Sequence, residues 1–139
     1  MATINYPLKG ACQCGGVTYE LLAPPLAIAA CHCRACQKLS TSAFSITAIV
    51  KAQDIKFYGE MKHWSRLADN GNENAGKFCP TCGNRIYHIN PAEPEKIKLK
   101  PSTLEDTSII KPTMHIWTSE KQAWFDIPAG VSTFEKQPF

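Results

Sequence analysis

Apolar and polar residues alternate over short stretches of the chain, and turn-forming residues separate these stretches. After the Gly15-Gly16 turn, for example, Val17, Tyr19 and Leu21 alternate with polar neighbours. A period of two is typical of a strand with one buried face. No stretch of about ten residues keeps the helical period of 3.6. The pattern therefore predicts a mainly β protein of two or three small antiparallel sheets packed together.

The same pattern places the individual elements. The predicted strands are residues 26–30, 43–50, 55–58, 63–68, 85–89 and 96–100. Residues 115–117 and 124–127 are rich in aromatics and are predicted to be edge or packing strands. Residues 34–39 are predicted to make about one helical turn. The polar segment 69–76 contains several turn-forming residues and is predicted to be a surface loop.

Length and charge narrow the class of protein. The chain has 139 residues and a net charge of +3, so we expect one domain over residues 1–139 with its core at about 8–127. The basic residues are scattered, which argues against a nucleic-acid surface. The sequence has neither a leader pattern nor the roughly 18 apolar residues of a membrane helix. We expect a cytoplasmic protein without a membrane partner, and the sequence predicts no oligomeric state.

Cysteine is the residue type that carries the candidate chemistry. The seven cysteines form two pairs, Cys12/Cys14 and Cys79/Cys82, and one triplet, Cys31, Cys33 and Cys36. An odd count does not suit a disulfide framework, whereas these short spacings suit metal binding. A structural zinc takes four protein ligands, and a catalytic zinc takes three and leaves one position open. We therefore predict two Zn²⁺ per chain, a structural one at the two pairs and a catalytic one at the triplet.

The spacing leaves other arrangements of these thiols open. The two pairs could stay unconnected or bind iron, because thiolates also accept iron. A histidine could complete the triplet, although His32 faces away if its two neighbours face the metal; the other candidates are His63, His88 and His115. The triplet could instead be a redox sensor that forms a disulfide once its metal leaves.

An open zinc with thiolate ligands suits one type of reaction. It can polarise a carbonyl group, and it can hold an incoming thiol as the nucleophilic thiolate. Both effects favour the addition of a thiol to an aldehyde. Arg34 and Lys38 lie in the same segment and could pair with carboxylates of an acidic thiol, or they could be ordinary solvated charges. The larger aromatic residues are predicted to pack in the core or between strands: Trp64, Phe78, Tyr87, Trp117 and Trp124.

Three segments together resemble a known family. Residues 10–20 read GACQCGGVTYE, residues 31–38 read CHCRACQK, and residues 78–84 read FCPTCGN. Their order and their cysteines resemble the glutathione-dependent formaldehyde-activating enzyme family, also called the Gfa or centromere protein V domain. Weaker similarity extends over about residues 8–127. The chain is similar to the short members of this family.

The resemblance implies a fold, two metal sites and a reaction. The fold is the Mss4-like β-tent, with a structural zinc at the two cysteine pairs and a catalytic zinc at the triplet. The reaction joins formaldehyde and glutathione to S-(hydroxymethyl)glutathione, so the chain would be a carbon–sulfur lyase whose partners are a glutathione-like thiol and an aldehyde. We expect Cys31, Cys33 and Cys36 to hold the catalytic zinc and Arg34 to assist. The alternative is a non-catalytic zinc-binding β-tent that acts as a binding or chaperone-like protein.

Overall fold

The computed structural model describes residues 4–138, which form two β-sheets and a short helix. The strands are β1 Leu8–Ala11, β2 Thr18–Leu21, β3 Ala27–Cys31, β4 Ser45–Lys51, β5 Ile55–Tyr58, β6 Lys62–Leu67, β7 Glu73–Phe78, β8 Arg85–Ile89, β9 Lys96–Leu99, β10 Met114–Ile116 and β11 Ser132–Thr133. The helix α1 is Arg34–Ser40, and 3-10 turns lie at Ala52–Asp54, Pro101–Thr103 and Thr118–Glu120. The prediction of a mainly β protein is confirmed.

The two sheets differ in size. The smaller sheet has the strand order β1-β2-β5, and the larger has the order β11-β10-β3-β4-β9-β8-β7-β6. Neighbouring strands are antiparallel except at β10, which runs parallel to β3 and to β11. The larger sheet carries the cysteine triplet at the end of β3 and ends at the edge strand β6. Its strands therefore bring distant parts of the chain to one surface.

The core lies between the sheets. Val17, Tyr19 and Leu21 are at most 1 % exposed, as their alternation predicts. Phe57 in the smaller sheet stacks on Tyr87 in the larger one, with ring centroids 4.5 Å apart. Such pairs add to the burial of apolar area that holds the two sheets together.

Helix α1 begins at the cysteine triplet, near the position that the sequence predicts. Cys33 is its N-cap residue, and the Cys33 thiol accepts a hydrogen bond from the backbone N–H of Cys36 at 3.3 Å. The helix ends at Ser40, and its C-cap residue Thr41 has a left-handed φ of 48°. A side chain that accepts from the third helical residue satisfies one of the free N–H groups of the first turn. The helix start therefore fixes the relative positions of two thiols.

Two predicted elements are wrong. The loop predicted at 69–76 is shorter, because β7 begins at Glu73 and pairs with β6. The strand predicted at 124–127 is irregular, since Lys121 Nζ donates to the Phe125 carbonyl and the Phe125 ring packs against His32 and Phe44. Within residues 4–138, no helix has the length and apolar character needed to cross a membrane.

Candidate functional site

The two cysteine pairs meet at one point. The turn between β1 and β2 carries Cys12 and Cys14, and the turn between β7 and β8 carries Cys79 and Cys82. The four Sγ atoms all lie within 4.8 Å of one another, and two of the separations, Cys12 to Cys14 and Cys14 to Cys79, are 3.6 Å. Four sulfurs about 2.3 Å from a tetrahedral metal ion would be about 3.8 Å apart. The quartet therefore fits one metal ion.

Backbone N–H groups surround these sulfurs. Val17 donates to the Cys12 sulfur at 3.3 Å, and Thr81 donates to the Cys79 sulfur at 3.4 Å. Hydrogen bonds to a charged sulfur favour the thiolate, which is the form that binds metal. The turn after Cys79 closes through Gly83, whose φ of 77° is left-handed and suits glycine.

The triplet forms a second group of converging thiols. Cys31 ends β3, Cys33 caps α1, and Cys36 lies in the first turn of α1. Their Sγ atoms also lie within 4.8 Å of one another. Among residues 4–138, no histidine, aspartate, glutamate or further cysteine joins this group. The group therefore offers a metal ion three protein ligands.

The three thiols affect one another and lie near a positive charge. Hydrogen bonds from the thiols of Cys31 and Cys36 lower the pKa of Cys33, whereas the contacts of the Cys31 thiol with Cys33 and Cys36 raise the pKa of Cys31. Lys100 Nζ donates to Ser45 and Thr47 at 2.9 Å. Burial lowers the pKa of Lys100 to about 8, while the nearby thiols of Cys36 and Cys31 act in the opposite direction. The Lys100 ammonium and a thiolate of the triplet would stabilise each other.

His32 lies behind the triplet and contacts other aromatic rings. It is fully buried, and its Nε2 lies 2.8 Å from Nδ1 of His115. Phe44 and Phe125 pack against its ring. The structure thus places His32 away from the sulfurs, as alternation along the strand implies, and in the interior rather than on the surface. His63 lies exposed on β6, and His88 and His115 are also outside the thiol group.

Gln37 fixes the segment that carries the triplet. Its Nε2 donates to the carbonyls of His32 at 2.7 Å and Glu120 at 3.0 Å. Its Oε1 accepts from Gln122 Nε2 at 2.8 Å and from Arg34. The side chain is 4 % exposed. Gln37 therefore joins the triplet to the later part of the chain, and Arg34 contacts Gln37.

Replacement of Gln37 by leucine should destabilise the protein. The variant leaves the buried carbonyl of His32 and the partly buried carbonyl of Glu120 without this donor, and an unsatisfied buried group costs about 1–3 kcal/mol. We expect the free energy of unfolding to fall by about 2–4 kcal/mol in urea denaturation. Gln53 is exposed, so Gln53→Leu is the matched control and should change stability by less than about 0.5 kcal/mol. An unchanged midpoint for Gln37→Leu would contradict the role given to these bonds.

A cleft opens beside the triplet. Its volume is about 330 Å³, and it lies between α1 and the strands β6, β7 and β8. The lining residues are Ala35, Cys36, Lys38, Leu39, Trp64, Arg66, Asn74, Arg85 and His88. This volume is at the lower end of the range for small-molecule sites. Because Cys36 belongs to both, the cleft and the triplet form one continuous site.

Comparison with known proteins identifies the family. The family model described as "Glutathione-dependent formaldehyde-activating enzyme" matches residues 7–120, a range that contains all seven cysteines. The chain belongs to this family. The fold of this family member also resembles that in a structural-genomics crystal structure of a Rhodobacter sphaeroides protein, with 24 % identity and a TM-score of 0.55 over 76 % of this chain and 92 % of the other. No curated protein matches the chain.

Some residues of this family member's site are absent from the sequence-based set. Lys38 lines the cleft as a sequence-based candidate, and His88, which the sequence offers only as a possible ligand of the triplet, lines it too. Arg66, Asn74 and Arg85 are absent from that set and become neighbours only through the pairing of β6, β7 and β8. Their spacing along the chain gives no signal of this.

The prediction that the large aromatics pack inside is wrong for two of them. Trp64 is 58 % exposed and lines the cleft, and Trp124 is 70 % exposed. Trp64 lies on the edge strand β6, which can carry a tryptophan on its solvent face, and Trp124 lies in an irregular segment, so residue type alone does not decide the burial of these side chains. Tyr87, by contrast, stacks on Phe57 as a packing residue.

Proposed function

We propose that this protein binds two zinc ions and uses the one at Cys31, Cys33 and Cys36 to catalyse the reversible addition of a glutathione-like thiol to formaldehyde. The activity is that of a carbon–sulfur lyase. Family membership supports the thiol and the aldehyde as substrates. The metal-binding geometry of the two thiol clusters supports the two ions. The quartet at Cys12, Cys14, Cys79 and Cys82 would hold the structural zinc.

One observation carries the catalytic part of the proposal. The triplet offers three thiols, and no fourth candidate ligand atom from residues 4–138 joins them. A zinc with three protein ligands keeps a position for water or substrate. Cys36 lines the cleft, which would give a small molecule a route to that position.

The chemistry divides between the metal and the chain. Zinc bound at the triplet would polarise a carbonyl group and favour the thiolate form of a thiol. In the reaction, the substrate sulfur bonds to the formaldehyde carbon, and the thiol proton ends on the former carbonyl oxygen. The chain's own residues position the metal ligands: Gln37 and the cap at Cys33 hold the segment that carries the three thiols, and the Lys100 ammonium would offset the negative charge of their thiolates.

The test measures adduct formation directly. With the protein loaded with zinc under reducing conditions, NMR exchange between formaldehyde, glutathione and their adduct should be faster than without protein. Treatment with a chelator should return the exchange rate to the background value, and elemental analysis should give about two zinc ions per chain before chelation. Equal exchange rates with and without the zinc-loaded protein would contradict the proposed activity.

The alternative is a non-catalytic zinc-binding module, and the exposure of apolar residues on β6 favours it. Trp64 and Leu67 are 58 % and 73 % exposed, and β6 is the last strand of its sheet. An edge strand with exposed apolar side chains can pair with another chain. Two bound zinc ions without any rate enhancement would favour this module.

We also propose that the protein works in the cytoplasm. All seven cysteines are free thiols in the structure. A reducing compartment keeps thiols available for metal. Fractionation of cells that express the protein, followed by detection of its soluble and membrane pools, would test this placement.

A further inference from the structure

Lys100 directly follows β9, and its ammonium is held by hydroxyl groups of β4. Its Nζ donates to Oγ of Ser45 and to Oγ1 of Thr47, each at 2.9 Å. Ser45 and Thr47 are two residues apart on the strand, so their side chains lie on the same face of β4. An ammonium has three donors, and two of them are used in this way. The hydroxyls therefore fix the position of the cation.

Strand register brings this cation to the triplet. Cys31 of β3 pairs with Ser45 of β4. Directly paired residues of antiparallel strands lie on the same face, and Lys100 Nζ donates to Ser45 on that face. The thiols of Cys36 and Cys31 accordingly raise the pKa of Lys100, against the effect of burial. The ammonium and the triplet therefore share one face of the sheet.

The charge of Lys100 has no acidic partner. Within residues 4–138, hydroxyls satisfy its hydrogen bonds, and no carboxylate contacts it. Arg85 and Lys98, which also act on its pKa, are cations themselves. A cation that is shielded from water is costly unless an anion compensates it. The thiolates of a metal-loaded triplet are the anions that lie closest to this role.

Formal charges define what this cation adds to an open metal site. Three thiolates and one Zn²⁺ leave one net negative charge, and the Lys100 ammonium cancels it. A thiolate that enters the open position adds a second negative charge, which would stand against the first if Lys100 were neutral. A nearby opposite charge favours the charged form of a group, and a like charge disfavours it. The cation should therefore matter greatly for an anionic fourth ligand and little for a neutral one.

We propose that Lys100 is a positioning residue that admits a thiolate to the open position of the metal ion at the triplet. The ammonium, held by Ser45 and Thr47, acts through the charge of the metal site. A metal–sulfur bond forms as the incoming thiol releases its proton to solvent, and the ammonium offsets the charge that the sulfur keeps. This inference rests on the proposed function, because that function places an open metal site at the triplet.

Cobalt allows the ligands of the triplet site to be followed by absorption. Protein loaded with excess Co²⁺ in place of zinc absorbs visible light, and its bands change when a further ligand binds the ion. The quartet already offers four protein ligands, so the triplet should be the site that responds. The probes are 2-mercaptoethanol, which binds as an anion and has no carboxylate, and imidazole, which binds as a neutral ligand. A phosphine keeps the cysteines reduced without adding a thiol.

Removal of the charge should affect one probe only. Lys100→Met keeps the length of the side chain and should raise the dissociation constant of 2-mercaptoethanol by roughly 10- to 100-fold. The dissociation constant of imidazole should change by less than about 3-fold, since this ligand adds no charge. Lys98 is exposed on β9, and Lys98→Met is the matched control. It should leave both probes unaffected, because solvent screens an exposed charge.

Two further variants separate charge from folding. Lys100→Gln removes the charge but retains a donor for the hydroxyls, so it should show the same selective loss of 2-mercaptoethanol as Lys100→Met. Lys100→Arg keeps a cation and should bind 2-mercaptoethanol more tightly than either neutral variant. A merely structural role for Lys100 would instead weaken both probes alike, and that result would overturn the proposal.

The outcomes separate this inference from the proposed function. Selective loss of 2-mercaptoethanol in the neutral variants, without turnover by the wild-type protein in the NMR assay, would support the role of Lys100 and contradict the catalytic function. Turnover by the wild-type protein with unchanged probe binding in the neutral variants would support the function and overturn the role of Lys100. Absence of any change of the wild-type cobalt bands with either probe would also overturn it.

Discussion

Replacement of Cys79 by serine should unfold or strongly destabilise the protein. Cys79 is 1 % exposed and its sulfur lies 3.6 Å from that of Cys14. The variant removes one ligand of a four-thiol site and leaves the other sulfurs crowded in a partly buried place. Because metal binding at such a site contributes directly to folding, we expect the free energy of unfolding to fall by at least about 3 kcal/mol. Urea denaturation followed by circular dichroism, under reductant and with added zinc, measures the loss.

The topology explains why this effect should be large. Cys14 follows β1 of the smaller sheet, and Cys79 lies between β7 and β8 of the larger sheet. One ion at the quartet would therefore join the two sheets at one end of the core. The triplet, by contrast, comes from a single short segment at the end of β3 and the start of α1.

The matched comparison is a serine in the triplet. Cys36→Ser should also remove about one zinc ion per chain, but its cost in stability should be smaller, since no second sheet is released. Elemental analysis measures whether each variant loses one ion. Equal destabilisation by Cys79→Ser and Cys36→Ser would show that an ion at the quartet does not stabilise the protein by joining the two sheets.

The sequence predicts the thiol clusters well because their geometry is local. A Cys-x-Cys segment in extended chain points both sulfurs to one side, and the Cys79 to Cys82 turn needs only a few residues and Gly83. The pairing of the two distant turns follows from the number of ligands that a closed site requires. The strand at 17–21 is predicted for a similarly local reason, because alternation of apolar and polar residues places one face of a strand in the core.

The cleft could not be predicted in this way because it depends on strand register. Asn74 and Gly76 are poor strand formers, so their segment has the composition of a loop. Strand propensity therefore does not predict β7. Pairing with β6 and β8 overrides that preference and brings Arg66 and Arg85 to one face. The position of the Lys100 side chain could not be predicted either. The alternation over residues 96–100 indicates that this side chain is exposed, yet its ammonium donates to hydroxyl groups of β4.

Replacement of Cys33 by serine should abolish adduct formation and leave the fold intact. Cys33 has two roles, since its sulfur belongs to the triplet and also accepts the Cys36 N–H as the N-cap of α1. Serine is a good N-cap but a poor zinc ligand, so the helix start is kept while a metal ligand is lost. We expect the NMR exchange rate to fall at least about 100-fold toward the background, with about one zinc ion per chain remaining.

Alanine at the same position separates the two roles. Cys33→Ala loses the metal ligand and the cap together, so it should be as inactive as the serine variant and less stable than it by about 1 kcal/mol. Equal stability of the two variants would show that the cap contributes nothing to α1. Full activity of Cys33→Ser would show that the triplet is not the site of the reaction, because a zinc held by the other two thiols alone would lack the ligand set on which the proposal depends.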